Sequence, residues 1–102
     1  MSRIELQTKL ETVLGSRNVY FQPPESLNMK YPAFVYELAD IIIDKANDTN
    51  YIRNNRYTLT LIHTNPDNAL KDTILDEFKY ISFDRFYAKD SLNHYVYDLY
   101  YN

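Results

Sequence analysis

Histidine is the side chain that most often serves as a metal ligand or a proton shuttle, and this chain has two, His63 and His94. They lie far apart in the sequence, and neither has a carboxylate at helical metal-ligand spacing. Two imidazoles alone do not make a zinc site. The pattern therefore favours two ordinary strand histidines, and we expect no metal and no cofactor.

The acids also give no clear catalytic pair. Asp76 and Glu77 are adjacent, so on a helix they would diverge rather than share a substrate. Asp72 and Asp76 are four residues apart and favour a solvated helix face, partly balanced by nearby lysines. A glycosidase-type carboxylate pair stays open on the sequence alone, although nothing in the spacing indicates one.

The near absence of glycine argues against serine nucleophile sites and phosphate-binding loops. Gly15 is the single glycine, and there is no cysteine. Walker loops, dinucleotide loops and serine nucleophile elbows all need glycines where the backbone must turn tightly or approach a ligand. The sequence therefore predicts a protein that is not an enzyme and has no catalytic residues.

Asp84 and Arg85 stand inside an otherwise aromatic strand. Because neighbours on a strand point to opposite faces, we expect these two side chains not to pair with each other. An inward-facing charge needs a partner. The favoured interpretation is a structural or subunit-interface ion pair.

The composition is that of one small globular domain spanning residues 1–102. Apolar runs such as Ile41-Ile42-Ile43 are far too short to cross a membrane. The net charge is −3, which argues against a grip on nucleic-acid phosphates. Eleven tyrosines supply either strand-forming bulk or surfaces that suit burial by a partner.

Periodicity predicts two helices and five strands. A capping box at Ser2 opens a helix over residues 3–14, with Gly15 after its end. A second helix is predicted to open at Asn65-Pro66-Asp67, with Asn65 as its N-cap. Alternating apolar residues predict strands over residues 18–22, 33–43, 56–64, 81–87 and 93–101, with a bulge near Asp40.

The predicted order is α-β-β-β-α-β-β, an α+β fold with a mostly antiparallel sheet of about five strands and two helices. Between the second and third strands, the polar segment Asp44 to Asn55 is expected to form a long hairpin tip. A layer of helices on one face leaves the other sheet face to solvent or to partners.

A proline-studded loop follows the first strand and carries three of the four prolines. Prolines fix an extended path and lower the entropy lost on assembly. We therefore predict that the loop, the hairpin tip and the charged strand pair face other subunits. The candidate interface residues are Tyr20, Phe21, Pro23, Pro24, Tyr31, Tyr51, Arg53, Arg56, Asp84 and Arg85.

Four phrases carry a family resemblance: "NVYFQPPES", "YPAFVYEL", "NRYTLTLIHTNPDN" and "SFDRFYAKDSLNHYVYDLYY". Together they resemble the tail completion, tail terminator or head–tail neck proteins of long-tailed bacteriophages. The resemblance runs from about residue 3 to residue 101. It implies a structural virion protein that forms a ring, expected to be a hexamer, which caps the tail tube and joins it to the head connector.

The implied partners are further copies of the chain, the tail tube protein and the head–tail connector protein. DNA would pass through the ring without specific binding. The implied location is the neck of the virion, after assembly in the bacterial cytoplasm. The alternative is a small phage-encoded binding protein that masks a host enzyme, since such proteins are also small, acidic and free of catalytic motifs.

Overall fold

A computed structural model describes residues 3–46 and 50–101 of the chain. It has two helices and a five-stranded sheet in the predicted order, which confirms the α+β fold. The elements are α1 (Arg3–Leu14), β1 (Val19–Phe21), β2 (Ala33–Ala46), β3 (Asn50–His63), α2 (Leu70–Glu77), β4 (Ile81–Lys89) and β5 (Leu92–Tyr101).

The sheet has the strand order β1-β2-β3-β5-β4. Strand β1 pairs with β2 in parallel, and the other three pairings are antiparallel. The parallel pair arises because the loop over residues 22–32 carries the chain back before β2 begins. Strand β4 forms one edge of the sheet and the three-residue β1 forms the other.

The core lies between the two helices and one face of the sheet. Leu6 and Leu10 of α1 and Ile74 of α2 are fully buried against alternate residues of the strands. The strand residues on this face include Phe34, Tyr36, Tyr57, Leu59, Leu61, Tyr95, Tyr97 and Leu99. Burying such side chains contributes about 1.5–3 kcal/mol each, so this face supplies most of the driving force for folding.

Helix α1 has the predicted bounds. Gly15 adopts a φ of +81° and its N–H donates to the carbonyl of Glu11 at 2.9 Å, the expected left-handed end of a helix. The predicted capping residue Ser2 lies outside the described residues.

Helix α2 begins at Leu70, so the prediction that Asn65 caps it and Pro66 opens it is wrong. Asn65 instead forms a turn in which its Oδ1 accepts from the N–H of Asp67 at 3.0 Å. The residue directly before the helix is Ala69, which makes no side-chain capping hydrogen bond. One residue earlier, the Oδ1 of Asn68 accepts from the N–H of Lys71 at 3.0 Å, so Asn68 rather than Asn65 binds the first turn of the helix.

The predicted hairpin tip over Asp44 to Asn55 is mostly strand. Strand β2 continues to Ala46 and β3 begins at Asn50, while residues 47–49 lie outside the described part. The hydrogen bonds of an antiparallel ladder join backbone groups whatever the side chains are, which is why polar residues can continue it. The predicted bulge is confirmed, because the register of β2 on β3 shifts between Leu38 and Asp40.

Candidate interaction surfaces

The two histidines lie on neighbouring strands but on opposite faces of the sheet. His94 pairs with Ile62, so those two residues share a face, and His63, the next residue of β3, lies on the other face. The Nδ1 of His63 accepts from the N–H of Asn65 at 3.0 Å, and partial burial lowers the pKa of this imidazole. The ring of His94 stacks on that of Tyr87 at 4.6 Å. Both histidines therefore have local roles.

Metal-ligand and membrane signals are both missing from the described chain. Across residues 3–46 and 50–101, histidine, aspartate and glutamate side chains form no group of three able to hold a metal ion. Neither α1 nor α2 is long and apolar enough to cross a membrane.

The proline loop is held at both ends by hydrogen bonds. The Oε1 of Gln22 accepts from the N–H of Leu38 at 3.3 Å, and the Nδ2 of Asn18 donates to the carbonyl of Pro32 at 3.4 Å. The hydroxyl of Tyr20 accepts from the N–H of Lys30 at 3.4 Å. These hydrogen bonds hold the loop in a defined conformation.

The aromatic residues predicted as interface candidates in this region are placed differently from one another. Phe21 packs against Tyr36 with ring centroids 4.9 Å apart, and the guanidinium of Arg3 lies 4.4 Å from its ring centroid. Its ring is therefore committed to its own subunit. Tyr31 is 40% exposed and Pro24 is also exposed, so these two are available to a partner. Pro23 is half-buried.

Strands β2 and β3 continue together past the rest of the sheet. Strand β5 pairs with β3 only from Asn55 onward, and no other strand within residues 3–46 or 50–101 pairs with the hairpin formed by residues 40–46 and 50–54. We call this hairpin the arm. It contributes to a molecule whose longest dimension is 51 Å.

The predicted interface residues of the arm lie within its ladder or at its base. Tyr51 faces Lys45 and Arg53 faces Ile43 in the backbone register. At the base, a guanidinium nitrogen of Arg56 lies 3.3 Å from a carboxylate oxygen of Asp98. Both partners of that pair are about one-third exposed, so the pair adds at most about 1 kcal/mol to stability.

Exposed apolar side chains cluster near the arm's base. Leu38 is 41% exposed and Ile41 is 47% exposed. A two-stranded hairpin on its own is marginally stable in water. An arm with apolar side chains at its base is therefore a surface that contact with another molecule would stabilise.

The edge strand β4 carries Asp84 and Arg85, and the prediction that these two side chains do not pair with each other is wrong. A guanidinium nitrogen of Arg85 lies 2.9 Å from a carboxylate oxygen of Asp84, so the two neighbours do pair with each other. The cause is a bulge: the register of β4 on β5 shifts between Phe83 and Arg85. The extra residue removes the alternation that would have sent the two side chains to opposite faces.

The same bulge places two phenylalanines side by side on the helix-facing side of β4. Phe83 contacts Tyr97 with ring centroids 5.6 Å apart, and Phe86 contacts Tyr95 at 5.1 Å. Both phenylalanines are about half exposed. With α2 they border a cleft of about 330 Å³. Its lining residues are Lys71, Asp72, Leu75, Phe83, Phe86, Tyr95 and Tyr97.

Buried tyrosine hydroxyls fix the floor of this cleft. The hydroxyl of Tyr97 donates to the carbonyl of Lys71 at 2.8 Å, and that of Tyr95 donates to the carbonyl of Pro66 at 3.0 Å. The buried Asn68 amide donates to the Tyr95 hydroxyl at 3.4 Å. Burial raises the pKa of Tyr97 far above its usual range. These hydrogen bonds connect β5 to α2 and to the turn that precedes it.

Sequence reasoning missed this cleft. The spacing of Phe83 and Phe86, three residues apart in a strand, was the available signal. Strict alternation places such a pair on opposite faces, and a pair of large apolar residues at this spacing can indicate a bulge.

Comparison with protein-family models gives no match, and no curated protein sequence matches the chain.

Proposed function

We propose that this protein is a structural subunit of a bacteriophage neck, forming a ring that caps the tail tube and joins it to the head connector. The observation that carries the proposal is the arm together with the apolar base formed by Leu38 and Ile41. A ring subunit needs two different patches that contact its two neighbours, because head-to-tail contacts that close make rings.

The arm supplies one such patch. It extends beyond the part of the sheet in which β5 pairs with β3, and its two strands pair with each other. Contact with a neighbouring subunit would stabilise it, because a two-stranded hairpin alone is marginally stable. When a neighbour covers the exposed apolar residues at its base, the contact is stabilised by about 25 cal/mol for each Å² removed from water.

The proline loop supplies a second patch on a different part of the fold. It is tied at both ends and presents Tyr31, Pro24 and the 38% exposed Leu27. Binding by a preshaped loop loses little conformational entropy. Aromatic side chains such as Tyr31 are frequent energetic centres of interfaces.

The test is to locate the chain in particles of the phage or prophage that encodes it. Electron cryomicroscopy should place it between head and tail as a ring, with six copies expected. A variant with Leu38 and Ile41 both changed to serine should fold but give particles with heads and tails unjoined. Exchange of the exposed Ile4 for serine is the matched control and should leave joining intact.

Two results would overturn the proposal. One is absence of the chain from intact particles. The other is its recovery in a one-to-one complex with a host enzyme, which would favour the enzyme-masking alternative. A ring with a subunit number other than six would correct the stoichiometry and leave the structural role in place.

A further inference from the structure

The outer edge of β4 is open in the described part of the chain. Strand β4 has nine residues and pairs with β5 on one side, while no strand of residues 3–46 or 50–101 pairs with its other side. An unpaired edge presents backbone N–H and carbonyl groups that can template another strand. On the opposite side of the sheet β1 has only three residues, and the part of β2 that continues past β1 belongs mostly to the arm.

The side chains of β4 are arranged in a self-complementary order. Reading along the strand, Phe83 and Phe86 enclose Asp84 and Arg85. The bulge puts the two phenylalanines on the helix-facing side, opposite Tyr97 and Tyr95, and the charged pair is exposed. The order apolar, acid, base, apolar becomes its own complement when the strand is reversed.

We propose that β4 pairs with β4 of a second copy of this chain, antiparallel, about a two-fold axis between Asp84 and Arg85. Each Asp84 then faces Arg85 of the second copy, and each Phe83 faces Phe86 of the second copy. The result is a two-fold dimer with a continuous sheet. The inference concerns the free protein and goes beyond the proposed function.

The bulge is what makes this register possible. In a regular strand side chains alternate, so two identical strands cannot place residues an odd number of positions apart on the same face. With the bulge in β4, each facing pair lies on one face. Ser82 and Tyr87 lie on the side of Asp98 and His94, according to the register with β5.

Two competing registers bring like charges together, and one of them also sets side chains from opposite faces of the sheet against each other. An axis through Arg85 would bring the two Arg85 side chains together and set Phe83 against Tyr87, which lies on the other face. An axis through Asp84 would bring two carboxylates together. Like charges directly opposite each other on a sheet are destabilising.

The second copy is favoured over another partner because the complementarity is reciprocal. Both members of the exposed ion pair find their opposite charge in a copy of the same strand. The half-exposed Phe83 and Phe86 of the two copies would together cover apolar surface next to both clefts. Neighbouring subunits of a six-fold cyclic ring meet head to tail, so this two-fold contact is not the contact between them, and we assign the dimer to the unassembled subunit.

Analytical ultracentrifugation of the purified full chain tests the proposal. The wild type should sediment as a dimer of twice the 12.2 kDa subunit mass. Asp84→Arg alone sets arginine against arginine, and Arg85→Asp alone sets acid against acid. Each variant should weaken dimerisation about tenfold or more, because two symmetric pairs change from attraction to repulsion.

The decisive measurement mixes the two single variants. One strand then carries two bases and the other two acids, so the mixture should form a heterodimer that neither variant matches alone. A monomeric wild type up to its solubility limit would overturn the proposal, with the bulge and charges then acting as protection of the edge. Equal dimerisation of the single variants and their mixture would also overturn it.

Cross-linking checks the register. Because the chain has no cysteine, Ser82→Cys protein mixed with Tyr87→Cys protein should be joined efficiently by a short thiol-reactive linker. Ser82→Cys mixed with Lys89→Cys is the control and should react poorly, while efficient joining of the control would contradict the register. A dimer in solution supports this inference whatever particle imaging shows, so its failure and that of the ring are distinguishable.

Discussion

The change Tyr97→Phe removes a single hydroxyl from the wall of the cleft and should change the pH dependence of stability in a way that can be calculated. Tyr97 has no exposed surface, and its hydroxyl donates to the carbonyl of Lys71 at 2.8 Å. The net contribution of such a hydrogen bond is about 1 kcal/mol. At pH 7 the variant should therefore unfold with a free energy about 1 kcal/mol lower than the wild type.

At high pH the sign should reverse. Burial raises the pKa of Tyr97 in the folded state, whereas the unfolded chain keeps the ordinary tyrosine pKa of 10.0. Below that pH the Tyr97 hydroxyl is protonated in both the folded and the unfolded state, so the stabilisation from its hydrogen bond is fully present. Above it the unfolded state loses a proton that the folded state retains, so wild-type stability falls as pH rises. At pH 11 this loss is about 1.4 kcal/mol, which exceeds the hydrogen bond.

Urea unfolding between pH 7 and pH 11 is the assay. The free-energy curves of wild type and Tyr97→Phe should cross a little below pH 11. Tyr36 and Tyr101, whose pKa values burial also raises, are present in both proteins and cancel in the difference. Tyr80→Phe, at a residue 61% exposed, is the control and should stay within about 0.5 kcal/mol of wild type at pH 7. A difference that stays constant from pH 7 to pH 11 would refute the buried hydroxyl.

Four other outcomes are expected. Leu10→Ala should cost about 2–5 kcal/mol in urea unfolding because the side chain is fully buried, whereas Ile4→Ala, on the same helix but exposed, should cost under about 0.5 kcal/mol; similar costs would contradict the packing of α1. Asp98→Asn breaks the half-exposed pair with Arg56 and should cost less than about 1 kcal/mol, a difference that high salt should shrink; a larger loss would mean a stronger pair than the geometry supports. Amide hydrogen exchange over residues 44–55 should slow when the free protein enters the assembled neck, and equal exchange in both states would contradict a contact there. Binding to duplex DNA should be undetectable at physiological salt because acids outnumber bases, 14 to 11, and a salt-sensitive micromolar affinity would contradict passage without binding.

The parts of the fold that could be predicted from sequence are those governed by local rules. Helix α1 has both an apolar stripe and a glycine at its end, so its bounds follow from the sequence. The alternation of Tyr95, Tyr97 and Leu99 puts these residues on one face of β5, and all three are buried in the structure. The bulge after Leu38 was visible because the apolar alternation of β2 stops there.

The parts that could not be predicted depend on pairing between distant strands. The arm has the polar sequence of a loop, although its two strands pair in a ladder in the structure. The start of α2 was not predictable because either Asn65 or Asn68 could bind its first turn; in the structure Asn68 does so and also donates to the Tyr95 hydroxyl of a distant strand. The bulge in β4 exists only in its register with β5, so the Asp84–Arg85 pair could not be foreseen from alternation.

Electron cryomicroscopy of intact particles is the direct test of the proposed neck ring. We predict density for the chain, including its arm, in a ring of six copies between the tail tube and the head connector. Joined heads and tails in particles that contain no copy of the chain would contradict the proposal.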